Sequence, residues 1–323
     1  MMLLSLVICT YNRADILRLT LPRYETLKIP QNVNLELILV NNNSSDETEV
    51  FANNYIKQSD NKKILYKYCF EEQQGLSYAR NKGYQKASGE YIAYIDDECI
   101  LPEKWLEIAV QHIRKSRPAF LGGPYYGKYL PNSTSSWFKE SFGDSYILQY
   151  HLPDGSLQGH YLSGGNIIIR RDVFEKIGTF NTDLGMKGDM IHYGEEQDLQ
   201  KRFISQFPNE SILYISDLFV WHLIRKEKMS ISFLFKDALI RGFSATKQMT
   251  DHSFTKLLLS PLFLLLSLTH TLFSFAYKLI ESLFSKNTFL GLLYNDYKKG
   301  TWRNIGASWA LFEILLSRIF KKH

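Results

Sequence analysis

The first 115 residues alternate between short apolar runs of strand character and stretches of helical period, and this alternation constrains the fold most. "LSLVICT" (4–10) reads as a buried strand, followed by the polar loop "YNRAD" and a helix to about Tyr24. "NLELILVNNNSSDET" (34–48) repeats the unit: an apolar strand, then an Asn/Ser/Asp loop able to cap a helix. "KILYKYCF" (63–70) is a third strand, and "GLSYARNKGYQKA" (75–87) a helix with Leu76, Ala79, Gly83 and Ala87 on one face. "GEYIAYID" (89–96) is a fourth strand, and "PEKWLEIAVQHIRK" (102–115) a helix with Pro near its first turn. This order predicts an α/β domain with a mainly parallel sheet. Ligands of such sheets gather beyond the carboxyl ends of the strands, where loops 10–13 and 41–46 and the carboxylates at 96–98 fall.

The pattern breaks at residues 123–162, rich in Gly, Pro, Ser and aromatics, which read equally as a substrate-facing loop or a variable surface insertion. Regular structure resumes with "GGNIIIRRDVFEKIG" (164–178), a strand then a short helix, and with "YGEEQDLQKRFISQ" (193–206), a helix. "SILYISDLFVWHLI" (211–224) holds one or two strands. A catalytic domain over residues 1–229 and a helical region over 230–323 are therefore expected.

Residues 257–277 carry no charge and, as a helix, would span roughly one hydrocarbon core. Pro261, His270 and five Ser/Thr weaken a transmembrane reading. Eight Lys/Arg against three acids from Lys278 onward weaken it further, since a basic flank favours the cytoplasmic side. "TWRNIGASWALFEILLSRIF" (301–320) reads as an amphipathic helix with Ile305, Trp309, Phe312, Leu316 and Phe320 on one face. A monotopic, interfacial tail near anionic lipid is the favoured reading, placing residues about 253–323 on a membrane surface. A soluble helical subdomain that packs on the core, or self-associates as a homo-oligomer, is the alternative.

Net charge of +5 is too mild to indicate nucleic acid. Cys9, Cys69 and Cys99 show no zinc or disulfide spacing, which favours a reducing compartment. The opening "MMLLSLVICTYNR" lacks a basic n-region and a small-residue cleavage site, so it reads as a first core strand.

The chemistry centres on "YIAYIDDECI" (91–100), where three consecutive carboxylates interrupt a strand-like run. In extended backbone Asp96 and Glu98 project to one side and Asp97 to the other. Two carboxylates converging at a strand end suit Mg²⁺ or Mn²⁺, which bridge protein oxygens to substrate phosphates. An acidic turn capping the next helix is the bland reading. In "YGEEQDLQKRF", Glu196, Leu199 and Phe203 share an inward helical face, whereas Asp198 and Arg202 pair outside it. A carboxylate there can act as a general base, or Glu195 and Glu196 can simply cap the helix. His222 is either a structural imidazole or a metal ligand. Arg80 is either a phosphate contact or a solvated helix residue.

Taken in order, "VICTYNR" (7–13), "LVNNNSSDET" (39–48), "GLSYARNKGYQKASGEYIAYIDDE" (75–98), "LSGGNIIIRRDVFEKIGTFNTDLG" (162–185), "GEEQDL" (194–199) and "VWH" (220–222) resemble a family-2 glycosyltransferase of the inverting, metal-dependent GT-A type. The resemblance implies a Rossmann-like mixed α/β sheet flanked by helices, with a C-terminal membrane-associating region. It implies a nucleotide-diphospho-sugar donor and a glycan or lipid-linked acceptor, handled at the cytoplasmic face of the cell membrane. Thr10 and Tyr11 would meet the nucleotide base, with Arg13 and Asn41 nearby and Arg80 near the base or diphosphate. Asp96, Asp97 and Glu98 would form the DxD-type motif: Asp96 near ribose and sugar, Glu98 on the metal with Asp96, and His222 a further ligand. Gly164, Gly165 and Asn166 would line the donor-sugar pocket, and Glu196, beside Glu195, would hold the base position. Asn41, Glu98 and Glu196 each replace the Asp usual in the family. A sugar-phosphate nucleotidyltransferase and a non-catalytic membrane scaffold are the competing readings. The first would want an early Gly-rich phosphate loop with Lys, which "ICTYNRAD" lacks.

Overall fold

The structure, a computed structural model, describes residues 1–59, 61, 63–130, 137–138, 146–147, 152–155, 157, 159–187, 193–247, 253–284 and 289–320. The chain forms two compact units. The first comprises residues 1–128, 145–190 and 195–223, and the second residues 129–144, 191–194 and 224–323.

In the first unit the predicted alternation appears as β1 (Met2–Thr10), α1 (Ala14–Tyr24), β2 (Val33–Asn41), α2 (Thr48–Gln58), β3 (Ile64–Phe70), α3 (Leu76–Lys86) and β4 (Tyr91–Asp96). Then follow β5 (Cys99–Ile100), α4 (Trp105–Ser116), β6 (Phe120–Gly122), β7 (Tyr125–Tyr129), β8 (Tyr146–Ile147), β9 (Asn166–Arg170), α5 (Arg171–Ile177), α6 (Glu195–Gln206), β10 (Ile212–Tyr214) and β11 (Val220–Ile224). Part of the irregular stretch 123–162 thus contributes strands, and much of the rest lies outside the described residues.

Seven strands form one sheet in the order β10-β6-β9-β4-β1-β2-β3. All neighbours are parallel except β9, which runs antiparallel to both β4 and β6. The sheet is therefore mixed. Its register aligns Thr10 with Asn41, Cys9 with Asp96 and Ile95 with Asn166. Three parallel strands thus end, and the antiparallel one begins, along the same edge. Leu6, Ile8, Leu37 and Leu39 pack into one face, and Val7, Ile38 and Val40 into the other. A strand covered on both faces reads as a continuous apolar run, as these do. Helix α3 lies close on the sheet because Gly83 has no side chain; a Cβ there would overlap Val7. A second, four-stranded sheet has the order β5-β11-β7-β8.

The second unit contains α7 (Ile231–Lys247), α8 (Phe254–Leu258), α9 (Ser260–Phe284), α10 (Phe289–Lys298) and α11 (Thr301–Phe320). Helices α7 and α11 cross at two glycines, since a Cβ on Gly242 would overlap the Arg303 carbonyl and one on Gly306 the Leu239 carbonyl. This contact chooses the inner face of α11: Trp302, Ile305, Ser308 and Ala310 are buried, whereas Trp309 is exposed. The aromatic stripe expected from periodicity is thus divided, because small residues allow a closer backbone approach than Trp309 would. Pro261 occupies the second position of α9 and interrupts nothing, since a first-turn residue needs no N–H partner. Among the described residues one helix, Ser260–Leu283, is long and apolar enough to cross a membrane.

Candidate active site

Strand β4 ends at Asp96, and Asp97 and Glu98 form the turn into β5. The extended alternation that would send Asp96 and Glu98 one way and Asp97 the other therefore stops one residue early. Asp97 and Glu98 instead share Arg13, whose Nη1 lies 3.7 Å from Asp97 Oδ1 and 3.2 Å from Glu98 Oε2. Thr10 Oγ1 donates to Asp97 Oδ2 at 2.8 Å, and Thr20 Oγ1 to the Asp97 carbonyl at 2.8 Å. Burial pushes the Asp97 carboxyl up and Arg13 opposes it. Burial would lower the Arg13 guanidinium, but Asp97 and Glu98 outweigh it and hold the pKa above its usual range.

Across this turn His222 arrives on β11, paired in register with Cys99. Its Nε2 lies 3.1 Å from Glu98 Oε1. Ligand atoms of Asp96, Cys99 and His222 lie within 4.8 Å of one another. That group offers one carboxylate, one thiol and one imidazole, and Glu98, in contact with His222, adds a second carboxylate; with Asp96, Glu98 and His222 as oxygen and nitrogen donors the site fits a divalent ion such as Mn²⁺ or Mg²⁺. Cys99 was not singled out by sequence, because an apolar context after a strand makes a cysteine look like core.

A second group forms around Arg80, whose place on α3 is 3% exposed rather than solvated. Its Nη1 lies 2.7 Å from Glu195 Oε1 and 3.1 Å from Glu196 Oε1, and its Nη2 lies 3.8 Å from Asp96 Oδ1. The ring of Phe180 sits 5.4 Å from the guanidinium carbon. Glu195 is buried and its Oε2 has no hydrogen-bond partner among the described residues. Burial and the neighbouring Glu196 push its carboxyl up to about 8, because Arg80 is shared among three carboxylates. Glu196 is the more exposed of the pair and accepts from the Gly164 N–H at 3.0 Å. Leu199 and Phe203 are buried below it, and Arg202 pairs with Asp198 at 2.9 Å on the outside.

Gly164 and Gly165 let backbone approach the acidic groups. A Cβ on Gly164 would overlap Arg80 and Glu196, and one on Gly165 would overlap Asp96. Two residues outside the sequence-derived set hold this turn. Gln200 donates to the Leu162 carbonyl at 2.8 Å and accepts from its N–H at 2.9 Å. Tyr125 Oη donates to Ser163 Oγ at 2.9 Å. Neither residue stands in a motif; only the tertiary contact reveals them.

The remaining expected residues are placed differently. Asn166 is buried with its amide spent on the core, accepting from Trp105 Nε1 at 3.1 Å and donating to the Leu218 carbonyl at 2.6 Å. Asn41 is buried, donating to Tyr68 Oη at 3.0 Å and accepting from the Ser44 N–H at 3.0 Å. Tyr11 is half-buried in the loop after β1.

The chain is similar to known proteins in sequence and in fold. The model of glycosyl transferase family 2 matches residues 5–178. Glycosyltransferase AglE of Haloferax volcanii is 28% identical over 189 residues, covering 58% of this chain and 59% of the relative's length. A glucosyl-dolichyl phosphate glucuronosyltransferase of the same organism is 25% identical over 258 residues, covering 75% of this chain and 76% of that one. In three dimensions, the mannosyltransferase PcManGT from Pyrobaculum calidifontis, solved in complex with GDP-Man and Mn²⁺, has a TM-score of 0.56 at 14% identity. That likeness covers 99% of this chain and 88% of the other, and it shows a shared fold. With the matched segment running from the first strand through α5, the chain belongs to glycosyl transferase family 2.

Proposed function

We propose that the chain is a metal-dependent, inverting glycosyltransferase that moves a sugar from a nucleotide-diphosphate donor to a hydroxyl of a glycan or lipid-linked acceptor. The observation that carries this reading is that one buried guanidinium, Arg80, gathers both the base candidate Glu196 and the strand-end Asp96. The proton acceptor and the donor-side carboxylates therefore face one small volume.

Asp96, Glu98 and His222 would hold Mn²⁺ or Mg²⁺, which stabilises the charge that builds on the departing diphosphate. Glu196 takes the proton of the acceptor hydroxyl as its oxygen bonds to the anomeric carbon. The bond to the diphosphate oxygen breaks on the opposite face, so configuration inverts. Arg80 keeps Glu196 aimed. The relative acting on a glucosyl-dolichyl phosphate supports a lipid-linked acceptor.

The proposal of a membrane surface for residues about 253–323 is supported by the inverted polarity of α9. Its Ser267 approaches Ser308, and its Ser274 and Lys278 bond Asp296 within the helical unit. Leu265, Leu272, Phe273 and Leu283 are instead 58%, 70%, 77% and 74% exposed. Polar groups inside and apolar groups outside suit a lipid environment. The cytoplasmic face is the side where nucleotide-sugars and reduced cysteines are both expected.

The test is a thermal-shift screen of the full-length protein against UDP-glucose, UDP-GlcNAc, UDP-glucuronate and GDP-mannose, with and without Mn²⁺. One donor should raise Tm in a metal-dependent way, as a ligand near a hundredfold above its Kd stabilises by about 2.7 kcal/mol. No stabilisation by any donor, with or without Mn²⁺, sinks the reading.

A further inference from the structure

Cys99 opens β5 and lies directly opposite His222 of β11 in an antiparallel pair, which puts thiol and imidazole on one face of the small sheet. The backbone around Cys99 is held from two sides. Its carbonyl accepts from Tyr24 Oη at 2.8 Å, and the Leu223 N–H donates to the neighbouring Glu98 carbonyl at 2.9 Å. The Tyr125 ring lies against the His222 ring, with centroids 5.9 Å apart. All of these residues belong to the sheet unit.

The ligand atoms of Asp96, Cys99 and His222 all lie within 4.8 Å of one another. Around a tetrahedral Zn²⁺ such atoms stand roughly 3.3–3.6 Å apart, so side-chain adjustments of about 1 Å gather them. Burial grades the three: Cys99 is wholly buried, His222 nearly so, and the Asp96 side chain is 36% exposed. An ion held here has protein beneath it and reaches solvent over Asp96, so three protein ligands leave a position open. Mg²⁺ selects oxygen ligands, whereas a thiolate beside an imidazole selects softer ions.

We infer that Cys99 is a further ligand of this site, and that the site takes a thiophilic divalent ion, Zn²⁺ or Co²⁺, in preference to Mg²⁺. The thiol gives its proton to solvent as sulfur bonds to the ion. This rests on the reading of the cluster as a divalent-ion site. It adds a ligand that lies outside the run of three acids and sets which ion is preferred.

Titration of the full-length protein in detergent with CoCl₂, followed by absorbance and by calorimetry, tests it. Bound Co²⁺ should show a thiolate-to-cobalt charge-transfer band in the near ultraviolet. The band should be lost in Cys99→Ser and Cys99→Ala and kept in Cys9→Ser and Cys69→Ser. In wild type, Zn²⁺ should displace bound Mn²⁺, read as return of the free-ion paramagnetic resonance signal, where an equal amount of Mg²⁺ does not. Calorimetric Co²⁺ binding without the band overturns the proposal, as does a band that survives in Cys99→Ala or an equal displacement by Mg²⁺. Cys99 then serves only the core, and Asp96, Glu98 and His222 still stand as ligands. Absence of the band is read on wild type, so the proposal stays falsifiable if a Cys99 variant does not fold. No Co²⁺ binding at all by wild type sinks this proposal and the metal-dependent reading together.

Discussion

Nη1 of Arg80 lies 2.7 Å from Glu195 Oε1, and this buried hydrogen bond fastens α3 to the helix that carries the base candidate. The same guanidinium approaches Glu196 and Asp96, so three acids depend on one cation. Removing the cation while leaving the acids is the costly change, because it leaves buried charge uncompensated. Arg80→Met should destabilise the protein by about 3–5 kcal/mol, read as the shift of a urea unfolding midpoint. A near-neutral Arg80→Met would mean the carboxylates are solvated and the cluster is not what it looks like.

Glu195 gives the stability a definite pH dependence. In the unfolded chain its carboxyl ionises near the ordinary 4.5, whereas burial and Glu196 keep it protonated in the native state to about 8. Between those values the native state binds the extra proton, so this residue makes stability fall as pH rises through that window. Glu195→Gln should flatten the decline in Tm from pH 5 to 8, with the two curves running parallel above it. Equal slopes for wild type and variant across that range would contradict the assignment.

Glu98 and Glu196 should separate binding from chemistry. Glu98→Ala leaves His222 and Arg13 without their shared carboxylate and should abolish the Mn²⁺-dependent part of donor binding by titration calorimetry. Glu196→Gln should keep donor affinity and lose about 10²–10⁴-fold in transfer rate, the usual contribution of a general base. Wild-type turnover in Glu196→Gln would reject it as the base.

The crossing of α7 and α11 leaves no room at Gly306, where any side chain meets the Leu239 carbonyl. Gly306→Val should cost about 1–3 kcal/mol by overpacking, even though glycine is a poor helix former. The same substitution at Gly300, where a Cβ meets nothing within 4 Å but φ is +74°, should be destabilising for backbone reasons alone. Thermal unfolding in detergent compares the two, and a stabilised Gly306→Val would show that the helices are further apart than described.

Much of this was legible in residue order. Apolar runs of strand length divided by amphipathic helices dictate a layered α/β sheet, because each element must bury its apolar face. Asp96, Asp97, Glu98, Glu196 and His222 stood out as candidates because acids and imidazoles beside apolar runs need a chemical reason. What local pattern could not carry was any property set by partners distant in sequence. Arg80 reads as either a phosphate contact or a solvated helix residue until Glu195, 115 positions later, closes on it. Asn166 reads as a pocket residue, and only the tertiary structure shows its amide also bonding Trp105 and Leu218. The inner face of α11 follows from two glycines 64 residues apart, at 242 and 306, and not from its own periodicity. The sequence by itself determined the elements and the acids; the tertiary structure alone decided which cation answers those acids, since Coulomb and hydrogen-bond energies depend on distances that chain order does not contain.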